Sequence, residues 1–281
     1  MKEYTKHKEC MPEETIFRIR RLLQEIGVFP VLKWMPDEFR GACSNRVYLD
    51  PVYGLGTNGK GTSERYAEAS AFAELAERLQ NHLLHIKCFG PEESPWMISA
   101  RYPDEKEMTF AELIDQKDAF LEHLFRKLGF VLPFQKIAFL EKMAEGMYGK
   151  TDGTIPVIPF TDVKEDRIVW LPNAVIVSFC GSNGMCAGNT MEEALVQGIS
   201  EILERYSQSR ILQEGLTPPE IPAKELEQYS LWPLIRQIES SGRYQVSIRD
   251  CSLGEGLPVT AVVIADRERN TFGVKFVINI V

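Results

Sequence analysis

One pattern constrains this chain more than any other, because it occurs twice. Segments 58–78 and 183–205 each contain an Asn-Gly pair, a glycine-rich stretch and then Glu-x-x-Glu-Arg. Residues three and four apart lie on one face of a helix, so each segment predicts a glycine turn leading into a helix with an acidic face. The glutamates are Glu74, Glu77, Glu201 and Glu204, and the arginines are Arg78 and Arg205.

Four carboxylates on two helices indicate a site for a divalent cation. Neighbouring carboxylates repel each other, more strongly when they are partly buried. Mg²⁺ prefers oxygen ligands and commonly takes one or two carboxylates together with nucleotide phosphates. Glycine turns at helix N-termini offer backbone N–H groups and the positive end of the helix dipole to phosphate oxygens. The sequence therefore predicts a Mg-nucleotide site built from two helices.

An ordinary solvated helix face is the alternative explanation. Glu74 and Arg78, like Glu201 and Arg205, are spaced for i,i+4 salt bridges that stabilise many surface helices. A single copy of the pattern would favour this simpler interpretation. The repetition of the whole arrangement after a second Asn-Gly pair favours the site.

The composition sets broad limits on the function. The 281 residues carry a net charge of −8, which argues against a surface for nucleic acid or anionic membranes. No stretch reaches transmembrane length and the N-terminus has no apolar leader, so we expect a cytoplasmic protein. The six cysteines form no Cys-x-x-Cys pair, and we expect them to be reduced and mostly buried.

Hydrophobic periodicity predicts an α/β (α+β) fold with mixed sheets and long helices. We expect one domain over residues 1–281, with a helical insertion at 86–149. Helices are predicted at 13–26, 63–84, 109–128, 135–145, 190–212 and 223–240. Strands are predicted at 28–34, 47–53, 155–160, 168–171, 174–179, 244–249, 258–266 and 271–280.

The two duplicated segments resemble the signatures of the YcaO family, most closely its stand-alone enterobacterial branch. Residues 57–61 and 69–78 look like the first signature, with Thr-Asn-Gly-Lys-Gly followed by Ala-Ser-Ala and Glu-x-x-Glu-Arg. Residues 182–205 look like the second. The resemblance implies that ATP and Mg²⁺ bind at the four glutamates. It also implies phosphorylation of a peptide-backbone amide oxygen, leading to azoline, thioamide or amidine products.

Individual roles follow from the pattern and the resemblance together. The four glutamates are expected to hold Mg²⁺, and Arg78 is expected to be structural. Lys8 and Thr15 match nucleotide-contacting positions of the enterobacterial type, although each is a weak signal alone. The predicted nucleotide contacts are Lys8, Thr15, Ser70, Asn183 and Arg205.

The end of the chain departs from the family pattern. Family members continue beyond this point with a segment that adds an Arg and a Glu to the ATP site, so we expect the chain to lack the C-terminal part of the domain. Its last predicted strand is apolar and favours pairing with a second copy, which predicts a homo-oligomer.

Several alternatives stay open at this point. The chain is predicted to be an ATP-dependent enzyme that activates amides in a peptide or protein, including a ribosomal protein, with a sulfur-delivery or modifying partner. It could instead be a non-catalytic nucleotide-binding partner of another modifying enzyme, or an inactive fragment. The sequence does not identify the peptide, the modification or the partner.

Overall fold

A computed structural model describes residues 8–36, 41–50, 52, 54–81 and 102–278. The chain forms two compact units, one made of Met1–Ser94 with Asn183–Val281 and the other of Pro95–Ser182. Both units combine helices with small antiparallel sheets, which confirms the predicted α/β fold class. The second unit begins and ends later than the predicted insertion at 86–149, and part of that segment lies outside the described residues.

The first unit begins with a helix and a three-stranded sheet on which a second helix packs. Helix α2 (Glu64–Gln80) buries Phe72 and Leu75 against Val47 of the sheet and against Ile16 and Leu23 of helix α1 (Pro12–Glu25). Arg20 of α1 donates to the buried Glu68 of α2 at 2.9 Å, which joins the two helices. The elements are α1 (Pro12–Glu25), β1 (Val31–Trp34), β2 (Cys43–Asp50), β3 (Leu55–Gly61) and α2 (Glu64–Gln80), with strand order β1-β2-β3.

The first glycine-rich segment is a strand, and our prediction of a turn there is wrong. Residues 55–61 form β3, which pairs antiparallel with β2. Its glycines are needed because α2 lies directly on the strand. A Cβ on Gly59 would come within 1.9 Å of the Ala67 carbonyl oxygen, and one on Gly61 within 2.5 Å of the Ala67 nitrogen. Close packing, rather than a loop that binds phosphate, explains these glycines.

The second unit packs four helices against another three-stranded sheet. Its core joins Phe125, Leu140 and Val157 with ten further buried side chains. The unit extends beyond the end of the predicted insertion at residue 149. It includes Lys150 and the two strands that follow it. The elements are β4 (Lys106–Thr109), α3 (Phe110–Asp115), α4 (Ala119–Lys127), α5 (Pro133–Tyr148), β5 (Thr154–Asp162), β6 (Arg167–Pro172) and α6 (Asn173–Cys180), with strand order β4-β5-β6.

Two predictions of secondary structure in this unit are wrong. The helix expected at 109–128 is two helices, because Lys117 adopts a left-handed φ of 51° and Asp118 then caps α4. The strand expected at 174–179 is helix α6, whose Ala174 and Val175 are buried in the core of the unit. Burial in the tertiary structure overrides the β-propensity of that run.

The first unit resumes with the long helix α7, entered from a turn at 181–184. Thr190 caps α7 by accepting a hydrogen bond from the Glu193 backbone N–H at 3.2 Å, as predicted. The helix expected at 223–240 is interrupted by a turn at 227–230. The elements are α7 (Met191–Glu214), α8 (Ala223–Leu226), α9 (Trp232–Glu239), β7 (Tyr244–Asp250), β8 (Val259–Asp266) and β9 (Thr271–Ile278), with strand order β7-β8-β9.

The ion pair between Arg243 and Asp266 gives a testable dependence of stability on pH. Hydrogen bonds from Arg243 lower the pKa of Asp266 from 3.8 to about 2. Because the folded pKa is depressed, the stabilisation is present above about pH 4 and is lost as the pH falls towards 2. We expect Asp266→Asn to be less stable than the wild type in urea unfolding at pH 7, and the difference to shrink below pH 4. A difference that is constant with pH would contradict this account.

Candidate functional site

A cavity of about 1200 Å³ lies within the first unit. Residues from α1, β3, α2, the segment 185–190, α7 and β9 line it. Both acidic helix faces predicted from the sequence contribute to its wall. Of the predicted site residues, the cavity is lined by Lys8, Thr15, Ser70, Glu74, Glu77, Glu201 and Glu204.

On α2, the acidic face is organised by Arg78. Its guanidinium lies 3.3 Å from the carboxylate of Glu74 and 2.9 Å from that of Glu77. Glu77 is buried, whereas Ser70, one turn before Glu74 on the same face, is exposed. Arg78 therefore holds the two carboxylates of this helix side by side.

On α7, each carboxylate has a partner from another part of the chain. Glu201 accepts a hydrogen bond from the Gly184 backbone N–H at 3.1 Å and lies 3.5 Å from Arg205. Glu204 accepts from Lys275 of β9 at 3.3 Å. The turn before α7 and the strand β9 thus both fix the acidic face of this helix.

The electrostatics of Glu77 show that the two acidic faces act on each other. Burial raises the pKa of Glu77, Arg78 opposes that rise, and the negative charges of Glu74 and Glu201 add to it. Glu201 belongs to α7, so the two helices bring their carboxylates within electrostatic range. Keeping such a crowded, partly desolvated carboxylate ionised costs less free energy when a cation lies beside it.

A second polar group joins the start of α1 to the start of α7. Lys8 Nζ lies 3.0 Å from Glu193, and the Thr15 hydroxyl donates to the Asn189 side chain at 2.8 Å. Burial would raise the pKa of Glu193, but hydrogen bonds from Lys8, Asn189 and the Glu9 backbone N–H hold it below its usual value. Glu193 is therefore an anion that organises this end of the cavity.

The sequence analysis missed Glu193, Lys60 and Lys275 as cavity residues. The spacing Thr190-x-x-Glu193 matches a helix capping box, so capping of the helix is a sufficient explanation for Glu193 in the sequence. Lys275 reaches the cavity from a strand 71 positions after Glu204, and no local pattern signals such a contact. Lys60 lies between the glycines of β3, and its place in the first signature was the one available signal.

Two predicted nucleotide contacts, Asn183 and Arg205, are not among the residues that line the cavity. Arg205 instead lies beside Glu201 and donates to Gln208 at 3.4 Å. Within residues 8–36, 41–50, 52, 54–81 and 102–278, no three His, Cys, Asp or Glu side chains stand at the spacing of a metal site. The cavity carboxylates stand beside lysines, arginines and a backbone N–H instead.

The donor set nevertheless fits Mg²⁺ with a nucleotide. Four glutamates from two helices offer the hard oxygen ligands that Mg²⁺ prefers. Burial raises the pKa of Glu77, and the charges of Glu74 and Glu201 add to that rise against the opposing effect of Arg78. The volume of about 1200 Å³ is ample for a nucleotide. Basic side chains on the same wall suit the phosphates.

Two acidic helix faces on one cavity of a mixed α/β fold suit a protein that binds Mg²⁺ with a nucleotide. The chain belongs to the YcaO family, because residues 58–277 match the sequence model described as YcaO cyclodehydratase, ATP- and Mg²⁺-binding. This confirms the resemblance found in the two signatures. The cofactors of the family are ATP and Mg²⁺, as the sequence predicted.

Two curated relatives each match about three quarters of the chain. The ribosomal protein S12 methylthiotransferase accessory factor YcaO of Escherichia coli is 34% identical over 216 residues, and an uncharacterized protein of Haemophilus influenzae is 32% identical over 218. Each match covers 76% of this chain and 36% of the relative. The chain therefore spans about a third of the length of these relatives.

A solved structure shares the fold. A heterocyclase in complex with substrate and cofactor superposes with a TM-score of 0.64 at 19% identity, over 98% of this chain and 38% of that one. The similarity supports the α/β fold. Separately, none of the helices in the described part of the chain is long and apolar enough to cross a membrane.

Proposed function

We propose that this chain binds Mg-ATP between α2 and α7 and uses it to activate a backbone amide of a peptide or protein. The observation that carries the proposal is that Glu74 and Glu77 of α2 line one cavity with Glu201 and Glu204 of α7. Membership of a family of ATP- and Mg²⁺-binding cyclodehydratases supports it. Bound Mg-ATP would supply the phosphoryl group and the charge neutralisation that amide activation requires.

The four glutamates would hold the metal. Arg78 now lies between the carboxylates of its own helix, and Lys275 and Arg205 lie beside those of α7. Metal binding would therefore replace ion pairs that already exist. In the folded chain without metal, those ion pairs offset the repulsion between the carboxylates. Arg78 keeps a structural role in this proposal, because it aligns the two ligands of α2.

The nucleotide contacts would come from both ends of the cavity. Lys8 reaches it from the segment before α1, Thr15 from α1 itself, and Ser70 from the exposed face of α2. Arg205 lies beside Glu201, and Asn183 directly precedes Gly184, whose backbone N–H donates to Glu201; both remain proposed contacts of the phosphates. Glu193 would position Lys8, since it holds that ammonium at 3.0 Å.

Calorimetric titration with a non-hydrolysable ATP analogue and Mg²⁺ tests the proposal. We expect the wild type to bind, and the double variant Glu74→Ala, Glu201→Ala to lose at least about a hundredfold in affinity because one ligand is missing from each helix. The control is Glu225→Ala, Glu227→Ala, which removes two exposed carboxylates outside the cavity. Equal binding by both double variants would contradict the two-helix site.

A second candidate function is a non-catalytic partner of another modifying enzyme. The observation that favours it is the 34% identity to a protein named as an accessory factor of a methylthiotransferase. In this role the chain would bind Mg-ATP and support another protein, including one that acts on the ribosome or delivers sulfur. Phosphate release that rises when a peptide substrate is added favours the enzyme, and binding without turnover favours the partner role.

Self-association belongs to the same proposal. Strand β9 is one of the two edge strands of its sheet among the described residues, and Phe272 and Val274 on it are exposed. Edge strands with exposed apolar residues pair readily with another chain. We also retain, as proposals, a helical insertion at 86–149 within a single ATP-binding domain and a cytoplasmic location.

A further inference from the structure

Lys60 is an exposed residue of β3, the strand that packs against α2. Gly59 and Gly61 flank Lys60, and neither position has room for a Cβ against Ala67 of the helix. The backbone that carries Lys60 is therefore in direct contact with α2. The side chain of Lys60 lines the same cavity as Glu74.

Lys60 differs from the other basic residues of the cavity wall in its partners. Each of the others has a carboxylate within 3.3 Å: Lys8 has Glu193, Arg18 has Glu14, Arg78 has Glu77 and Lys275 has Glu204. For Lys60, the structure of residues 8–36, 41–50, 52, 54–81 and 102–278 shows no ion pair and no side-chain hydrogen bond. Among the described basic residues that line the cavity, Lys60 is thus the one whose ammonium can meet an incoming anion without leaving a carboxylate unpaired.

We infer that Lys60 binds the phosphate chain of the nucleotide. The inference rests on the proposed function, because it assigns one residue of the same site. An anion that enters a cavity lined by five glutamates needs a cation close by, since unscreened like charges repel strongly there. A lysine supplies a compact charge with three donors on a flexible stem, which suits phosphate oxygens.

Three ligands separate this role from a structural one. The ATP analogue with Mg²⁺ tests the whole site, adenosine lacks phosphates, and inorganic tripolyphosphate carries the phosphate chain alone. The variant is Lys60→Gln, and Lys60→Arg tests rescue by another cation. The matched control is Lys33→Gln, because Lys33 is an exposed lysine of the same sheet that does not line the cavity.

We expect Lys60→Gln to bind the ATP analogue and tripolyphosphate about tenfold more weakly than the wild type, the usual effect of one charge-assisted hydrogen bond. Adenosine binding should be unchanged, Lys60→Arg should recover most of the affinity, and Lys33→Gln should match the wild type. Wild-type affinity for both phosphate ligands in Lys60→Gln would overturn the inference, as would an equal loss for adenosine.

The outcomes also distinguish this inference from the proposed function. If the glutamate double variant loses the ATP analogue while Lys60→Gln keeps it, the proposed site stands and the role of Lys60 is wrong. If the wild type binds tripolyphosphate through Lys60 but does not bind the ATP analogue, the role of Lys60 stands and the nucleotide function is wrong. A folded wild type that binds neither ligand overturns both.

Discussion

Gly59→Ala is expected to lower the free energy of unfolding by about 3 kcal/mol, although it adds a single methyl group. The new Cβ would lie 1.9 Å from the Ala67 carbonyl oxygen and 2.7 Å from the Ala71 side chain. Both neighbours belong to α2, a helix held by its own backbone hydrogen bonds, so they cannot move independently. The strand and the helix would have to separate. Urea unfolding measures the loss, and faster hydrogen exchange in β3 would locate it.

Gly146→Ala is the matched control for this prediction. Gly146 lies inside α5 with nothing within 4 Å of its Cβ position, so alanine there should stabilise the helix by up to about 1 kcal/mol. The same chemical change should therefore have opposite effects at the two glycines. A Gly59→Ala variant as stable as the wild type would contradict the direct packing of α2 on β3.

Glu77→Gln is expected to weaken Mg²⁺-dependent binding of an ATP analogue at least about a hundredfold, because it removes the most buried of the four proposed ligands. The same change should alter the free energy of unfolding by less than about 1 kcal/mol. Glutamine leaves Arg78 its ion pair with Glu74, and it removes a charge whose burial is unfavourable. A large loss of binding with little change in stability distinguishes a ligand from a structural residue.

The control for Glu77→Gln is Glu64→Gln, an exposed position in the first turn of the same helix. Calorimetry with and without Mg²⁺ should show wild-type affinity for the control. Binding by Glu77→Gln that equals that of the wild type would remove Glu77 from the site. A collapse in stability that accompanies the loss of binding would assign it a structural role instead.

Local signals predicted the helices that build the site. The i,i+3 spacing of the glutamates, the i,i+4 spacing of glutamate and arginine in α2 and α7, and the Thr190 cap were enough to place both acidic faces. These features depend on residues within a few positions of each other. A single sequence therefore contains enough information to predict them. In the structure, one cavity is lined by Glu74, Glu77, Glu201 and Glu204.

Features that depend on distant contacts were not predicted. In the sequence, the glycines of β3 indicate a turn. Only the position of α2 shows that Gly59 and Gly61 have no room for a Cβ atom. The pairing of Lys275 with Glu204 and of Lys8 with Glu193 joins residues far apart in the chain. Helix α6 formed where a β-branched run favoured a strand, because Val175 packs into the core of its unit.

The most direct test of a site shared by α2 and α7 is a crystal structure of the chain with Mn²⁺ and a non-hydrolysable ATP analogue. Anomalous scattering would locate the Mn²⁺. Mn²⁺ accepts the same oxygen ligands as Mg²⁺ and identifies the metal position without ambiguity. We predict metal density coordinated by at least one glutamate of α2 and at least one of α7, next to the phosphates. Metal held by one helix alone, or a nucleotide bound outside this cavity, would contradict the account.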